Sequence, residues 1–170
     1  MPGWLLEPLH TQRLYLRPTR PGDEDWIIKL FTDEEVRRYL GGALSEAEAR
    51  DTIKITGEKW GHFDVVERES NDAIGSLSFA RKSSFWEISY QLQRNFWGKG
   101  IVGEAIKAAL SWFFGETDVE NVFAVTQTDN ERSCRLLEKL GAEYVNSYEY
   151  KNAPQSRYVF FRDKCGISTP

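Results

Sequence analysis

The residues that decide the fold read Trp86-Glu87-Ile88-Ser89-Tyr90-Gln91-Leu92 and, after a short connection, Trp97-Gly98-Lys99-Gly100-Ile101-Val102-Gly103. The first run alternates polar and apolar residues, which predicts a strand. From Ile101 to Trp112 the apolar residues recur at helical spacing, which predicts a helix directly after the glycines. We therefore expect a strand, a glycine-rich turn and the head of a helix in direct succession.

This succession is suited to binding an anion. The first turn of a helix has backbone N–H groups without partners and the positive end of the helix dipole, and glycines let a phosphate approach the chain. A P-loop does not fit, because Gly100 follows Lys99 where a Ser or Thr would be needed. The spacing of Gly98, Gly100 and Gly103 matches a dinucleotide fingerprint, but no acidic residue ends a second strand about 20 residues later. A plain tight turn is the remaining alternative.

The rest of the chain alternates between helical and strand patterns on both sides of this stretch. The capping box Ser45-Glu46-Ala47-Glu48 predicts the start of a helix that runs to about Trp60. The helix that begins at Ile101 is expected to stop at Gly115. We predict further helices over 23–31, over 33–39 and from Asp129-Asn130 to Leu140-Gly141. We predict further strands over 13–17, 62–67, 73–80, 121–128, 143–150 and 157–161. The order predicts a single α+β domain with one mixed, mostly antiparallel sheet.

Composition narrows the class of protein. The chain has 170 residues, 41% of them hydrophobic and 28% charged, which is typical of one globular domain. A net charge of −4 disfavours a nucleic-acid partner and is compatible with a cationic substrate such as an amine. Two cysteines without paired spacing and two histidines predict neither a disulfide framework nor a metal site. No signal peptide or membrane-spanning stretch is recognisable, so we expect a soluble, cytoplasmic protein.

Several short pieces of the sequence carry a family resemblance by their order and spacing. They are Thr11-x-Arg13-Leu14-x-Leu16-Arg17, Ile74-Gly75, Glu87-Ile88-x-Tyr90-x-Leu92, Trp97-Gly98-Lys99-Gly100, Glu104-Ala105 and Asn130-x-x-Ser133-x-x-Leu136-Leu137-Glu138-Lys139-Leu140-Gly141. Over roughly Leu9 to Arg162 the chain resembles the GNAT superfamily of N-acetyltransferases. Within it, the chain is similar to the RimJ/RimL-like branch of ribosomal-protein N-terminal acetyltransferases.

The resemblance implies the acyl-CoA N-acyltransferase fold, a single domain over 1–170 with six or seven strands and about four helices. It implies acetyl-CoA as cofactor, held between the strands Glu87–Leu92 and Asn121–Thr128, with its pyrophosphate on the N–H groups of residues 98 to 103. The cofactor-binding residues that we expect are Leu92, Trp97, Gly98, Lys99, Gly100, Ile101, Val102, Gly103, Asn130 and Arg135. The family chemistry requires no metal.

The same resemblance implies an acetyl transfer in which a primary amine attacks the thioester directly. The acceptor would be a protein N-terminus or a small amine, and family members are often homodimers. Leu137 stands where many relatives carry a tyrosine that protonates the departing thiolate, so Ser133 becomes the candidate acid and Glu87 the candidate base. Leu137 and Val102, which replaces a small residue, leave a second interpretation open, a CoA-binding module of the same fold without turnover.

Overall fold

The computed structural model describes residues 4–56 and 59–165, and it confirms the predicted α+β class. Its helices are α1 (Glu24–Thr32), α2 (Glu34–Arg37), α3 (Glu46–Thr56), α4 (Ile101–Glu116) and α5 (Glu131–Lys139). Its strands are β1 (Leu9–His10), β2 (Leu14–Arg17), β3 (His62–Glu67), β4 (Ala73–Arg81), β5 (Trp86–Leu92), β6 (Asn121–Gln127), β7 (Glu143–Tyr150) and β8 (Ala153–Phe161). Short 3₁₀ turns cover Arg94–Phe96 and Arg162–Cys165.

All eight strands of the described residues belong to one mixed sheet in the order β1-β2-β3-β4-β5-β6-β8-β7. Strand β5 pairs with β6 in parallel, whereas β1 with β2, β2 with β3, β3 with β4, β6 with β8 and β7 with β8 are antiparallel. The parallel pairing joins Glu87 to Phe123 and Ile88 to Ala124, near the start of β5. The sheet is therefore the predicted one, mixed and mostly antiparallel, but with eight strands instead of six or seven.

Four differences from the predicted elements have a local reason. Two-residue β1 is too short to carry an alternating pattern. Helix α3 ends at Thr56, not near Trp60, which lies in a turn; Gly57 and Glu58 are outside the described residues. Gly115 does not end α4, because its backbone is not in the left-handed region and the helix continues to Glu116.

The fourth difference is the start of β8. The strand begins at Ala153, not at residue 157, because Lys151 and Asn152 form a two-residue hairpin turn with φ of 50° and 60°. Pro154 within the strand hides this part from pattern analysis, since proline is unusual inside a sheet. The predicted capping box is confirmed: Ser45 N donates to Glu48 Oε2 at 2.8 Å, and Glu48 N donates to Ser45 Oγ at 3.3 Å.

The chain divides into two compact units. The first comprises Met1–Ser78 and Tyr90–Ala108. It contains a buried apolar cluster from the first three helices, made of Ile27, Leu30, Phe31, Val36 and Ala49. Burial of such side chains is the main stabilising contribution in a unit of this size. This unit also contains the glycine-rich turn.

The second unit comprises Phe79–Ser89 and Ala109–Pro170. Its core is aromatic, with Phe79 stacked on Phe113 at 4.3 Å between ring centroids. The buried Arg162 closes the end of α4, because its guanidinium donates to the carbonyl oxygens of Phe114 (2.6 Å), Thr117 and Val119 (3.1 Å). Within the ranges that the structure describes, no helix has the length and apolar character needed to cross a membrane.

Candidate active site

The glycine-rich turn has the conformation that its sequence predicts. After the 3₁₀ turn Arg94–Phe96, the chain turns through Gly98 and Gly100, whose φ angles are 73° and 74°, and α4 begins at Ile101. Only glycine adopts such angles at little cost. Residues 98 to 100 are exposed, so a ligand has free access to them.

The amides of this turn donate to no acceptor among the residues that the structure describes. For residues 98 to 103, all inside the described part of the chain, no N–H donates to a protein oxygen. Glu104 N is the first to bond, to Gly100 O at 3.2 Å. Consecutive unpaired amides at the positive end of a sixteen-residue helix favour an anion. This arrangement fits the diphosphate of a coenzyme.

Neighbouring side chains hold the turn in place. Trp97 packs against the apolar cluster of the first unit, and its Nε1 donates to Leu92 O at 2.8 Å. Arg94 Nε donates to Asp33 Oδ2 at 3.1 Å, which ties the 3₁₀ turn to the start of α2. Of the predicted cofactor-binding residues, Trp97 thus has a clear anchoring contact of its own.

Strand β5 lies very close to β4 just before the turn. A Cβ atom added at Gly75 would lie 2.5 Å from Gln91 O and 3.3 Å from Leu92 Cα, closer than real side chains allow. Gln93 N also donates to Ile74 O at 2.8 Å. The glycine of the Ile74-Gly75 motif is therefore required for the close approach of these strands, and it sets the position from which the turn begins.

The structure places the other predicted site residues in the second unit. The Asn130 side chain accepts from Ser133 N at 3.3 Å, so it caps α5. Ser133 is buried, with 8% of its surface exposed. Arg135 and Glu131 form an ion pair at 3.0 Å on an exposed helix face. Leu137 is buried in the core, 1% exposed.

Glu87 is partly buried on β5 and has a cationic neighbour. Its Oε1 lies 3.5 Å from Lys82 Nζ, an ion pair that the sequence alone did not reveal. Both residues lie in the second unit, and the ion pair can be tested by substituting either of them. It also supplies an alternative to catalysis, since the carboxylate could serve only this contact.

Two further residues reach the turn, although sequence reasoning assigned them no role. Arg13 Nη1 donates to Lys99 O at 2.8 Å, and Arg13 Nε donates to Glu104 Oε2 at 2.7 Å. The available signal was their membership of the motif pieces Thr11-x-Arg13 and Glu104-Ala105. Those pieces are far apart in the sequence, so their contact could not be read from spacing.

One mixed sheet with a parallel central pair, and a helix that follows an open glycine-rich turn, define the fold of the GNAT acetyltransferases. A family model described as Acetyltransferase (GNAT) domain matches residues 13–143. The chain belongs to this family. It is 31% identical over 160 residues to the uncharacterized N-acetyltransferase YoaA of Bacillus subtilis, a match that covers 85% of this chain and 89% of that one.

Solved structures support the same fold. The GNAT-family acetyltransferase of Bacillus anthracis has a TM-score of 0.84 at 21% identity, covering 92% of this chain and 99% of that one. Spermidine N-acetyltransferase of Vibrio cholerae, in complex with CoA and spermine, has a TM-score of 0.78 at 17% identity, with 91% and 99% covered. The Salmonella typhimurium enzyme that modifies the N-terminal serine of ribosomal protein L7/L12 has a TM-score of 0.77 at 18% identity, with 91% and 99% covered.

Proposed function

We propose that this protein transfers the acetyl group of acetyl-CoA to a primary amine. The observation that carries the proposal is the run of unpaired amides over residues 98 to 103 at the head of α4. Hydrogen bonds to a charged acceptor are worth about 1.5–3 kcal/mol each. A diphosphate that accepts several of them would be bound strongly and in one orientation. Lys99, exposed in the same turn, adds a positive charge.

The bound coenzyme would supply an acetyl thioester, and the chain would supply orientation and proton transfer. The β5 strand, which ends at Leu92 beside the turn, offers backbone groups for the pantetheine arm, as an added strand would use them. Asn130 and Arg135 are proposed as contacts to the same coenzyme. On this proposal the acetyl group is presented at a fixed position to the incoming amine.

Two side chains are proposed for the proton transfers. An amine acceptor is mostly protonated at neutral pH, so it must lose a proton before it attacks. Glu87 is the proposed base, and Ser133 is the proposed acid for the departing thiolate. The buried position of Ser133 suits this role. Few water molecules can compete there with its hydroxyl for a hydrogen bond to the thiolate. Leu137, four residues further along α5, has no proton to give.

The proposed acceptor is a primary amine, either a protein N-terminus or a small amine. The net charge of −4 favours a cationic acceptor. Two neighbours whose acceptor is named, from Vibrio cholerae and Salmonella typhimurium, represent both kinds of acceptor at nearly equal structural similarity. We place the chain near the RimJ/RimL-like branch on the basis of its motifs, which makes a peptide N-terminus the first acceptor to test.

The first test is cofactor binding followed by turnover. Acetyl-CoA at 100 times its dissociation constant should stabilise the protein by about 2.7 kcal/mol, visible as a rise in the unfolding temperature. Thiol release and the mass of the acetylated product are then measured with peptides and with polyamines. Binding without turnover on any acceptor would favour the non-catalytic module. No stabilisation by acetyl-CoA would refute the proposal.

Glu87→Gln and Lys82→Met separate catalysis from ion pairing. If Glu87 is the base, only Glu87→Gln lowers kcat, by about 100-fold or more. If the carboxylate serves only the ion pair, the two variants have equal and small effects on stability and neither changes kcat. The second outcome would remove Glu87 from the mechanism.

Ser133→Ala tests the proposed acid, with Ser83→Ala as an exposed control. A role in protonating the thiolate predicts a lower kcat with an unchanged dissociation constant for CoA. Unchanged turnover would reject the role. Two other expectations, a homodimer and a cytoplasmic location, stay predictions; light scattering on the purified protein measures the first.

A further inference from the structure

The Glu104 carboxylate in the first turn of α4 accepts three hydrogen bonds from the segment that leads into β2. Its Oε1 accepts from Thr11 Oγ1 at 2.5 Å and from Arg13 N at 2.8 Å, and its Oε2 accepts from Arg13 Nε at 2.7 Å. Partial burial alone would raise the pKa of Glu104, but the hydrogen bonds from Thr11 and Arg13 outweigh it and hold the pKa below its usual value. Glu104 is therefore a charged, fixed acceptor.

Arg13 extends this contact to the glycine-rich turn. While Nε binds Glu104, Nη1 of the same guanidinium donates to Lys99 O at 2.8 Å. Nη2 lies 3.6 Å from the place where a Cβ on Gly100 would be. One planar side chain thus fixes both the head of α4 and the peptide group before it, a geometry that lysine cannot reproduce.

The contact with Arg13 also fixes the direction of the Gly100 N–H, because Lys99 O and Gly100 N belong to one peptide group. In a trans peptide the carbonyl oxygen and the next N–H point in opposite directions. Because Arg13 holds the Lys99 carbonyl, the Gly100 N–H is directed away from Arg13. That N–H has no protein acceptor in the described chain and belongs to an exposed residue. Without Arg13 this peptide could rotate, since Gly100 on its far side has the conformational freedom of glycine.

Arg13 also changes the net charge at the head of α4. A carboxylate in the first turn of α4 would repel an approaching diphosphate. Arg13 neutralises Glu104 at 2.7 Å, so the head of the helix keeps its net attraction for an anion. The side chain of Arg13 is 43% exposed, and the contact is therefore not explained by core packing.

We propose that Arg13 and Glu104 are positioning residues that preset the Lys99–Gly100 peptide for the diphosphate of the cofactor. The proposal rests on the proposed function and assigns a role in cofactor affinity to residues that do not transfer protons or the acetyl group. It predicts that their contribution depends on the presence of the diphosphate in the ligand.

The test compares two acetyl donors on the whole 170-residue chain. Acetyl-CoA carries the diphosphate, whereas S-acetylpantetheine carries the same thioester and arm without diphosphate or nucleotide. For Arg13→Lys, which keeps the charge but not the fork, we expect the KM for acetyl-CoA to rise about tenfold at unchanged kcat. We expect kcat/KM with S-acetylpantetheine to change less than about twofold. Calorimetric titration with CoA should show the same loss of affinity as the kinetics.

Arg68→Lys is the matched control. Arg68 Nη1 donates to Thr11 O at 2.8 Å, so it holds the same segment of chain but does not touch the turn. It should leave the ratio between the two donors unchanged. Glu104→Gln is the second variant, kept in case Arg13→Lys unfolds. It removes a negative charge from the head of α4, but we expect weaker CoA binding because the Arg13 guanidinium loses the carboxylate that fixes it.

Outcomes separate this proposal from the proposed function. If the unmodified protein binds and uses acetyl-CoA but Arg13→Lys and Glu104→Gln lower kcat/KM equally for both donors, the contact is a structural tie and the positioning role is wrong. Full retention of CoA affinity in both variants also overturns it. If the unmodified protein does not bind acetyl-CoA, the proposed function fails together with this inference.

Discussion

Gly75→Ala is the substitution whose effect follows most directly from the structure. The new methyl carbon would lie 2.5 Å from Gln91 O, whereas an unstrained carbon–oxygen contact is about 3.3 Å or longer. The obstacle is backbone, so it cannot rotate away. Strands β4 and β5 must therefore separate by about 0.8 Å, or the local backbone must distort.

The size of the effect follows from this displacement. Forcing one methyl group into a packed interior typically costs about 1–3 kcal/mol. For a protein of this length, about 2 kcal/mol lowers the unfolding temperature by roughly 4–8 °C. The shift would also reach Leu92, whose carbonyl holds Trp97 at 2.8 Å. A displacement near 1 Å at a positioning element can reduce turnover by about 100-fold.

Urea denaturation at 25 °C measures the stability change, and the dissociation constant for acetyl-CoA measures the effect on the turn. Gly115→Ala is the matched control, because an added Cβ there meets nothing within 4 Å and Gly115 lies inside α4. That control should be neutral or more stable by up to about 1 kcal/mol. Gly75→Ala that is as stable as the unmodified protein would refute the argument from close approach.

Three further predictions concern stability. Arg162→Met leaves three backbone carbonyls at the end of α4 without their donor. It should lower the free energy of unfolding in urea by about 3–4 kcal/mol, whereas Arg50→Met, which removes an exposed ion pair, should lower it by less than about 0.5 kcal/mol. Equal losses in the two variants would contradict this. Burial lowers the pKa of His62 to about 4, so the unfolded chain binds more protons below pH 6.5 and stability falls from there towards pH 4. His62→Gln should flatten this loss, and an unchanged slope would exclude His62 as its source. Burial and the neighbouring Asp23 raise the pKa of Asp64, so its favourable neutral form is lost as the pH rises. Asp64→Asn should gain stability relative to the unmodified protein as the pH rises above about 4, and a constant difference would argue against this.

Local patterns predicted the elements that depend on neighbours in sequence. The capping box at Ser45 is an example, because its two hydrogen bonds join residues three positions apart. The strand, turn and helix around Gly98 and Gly100 are another, since the positive φ angles of this turn favour glycine. The class of fold and the glycine-rich turn could therefore be inferred from sequence patterns alone.

Contacts between distant residues could not be inferred in this way. Arg13 and Glu104 are separated by 91 positions, and only the folded chain brings them together. The same is true of Arg162 and the end of α4, and of the close approach of Gly75 to β5. For these residues the sequence offered a motif or a charge, while the partner was set by the tertiary structure.

The most direct test of the central claim is an NMR titration of the ¹⁵N-labelled protein with CoA. If the amides of residues 98 to 103 bind the diphosphate, the signals of Gly98, Gly100 and Gly103 should move on binding and saturate at one CoA per chain. We expect these signals to shift more than those of Gly22 and Gly141. Saturable binding of CoA that leaves the three signals in place would contradict the claim.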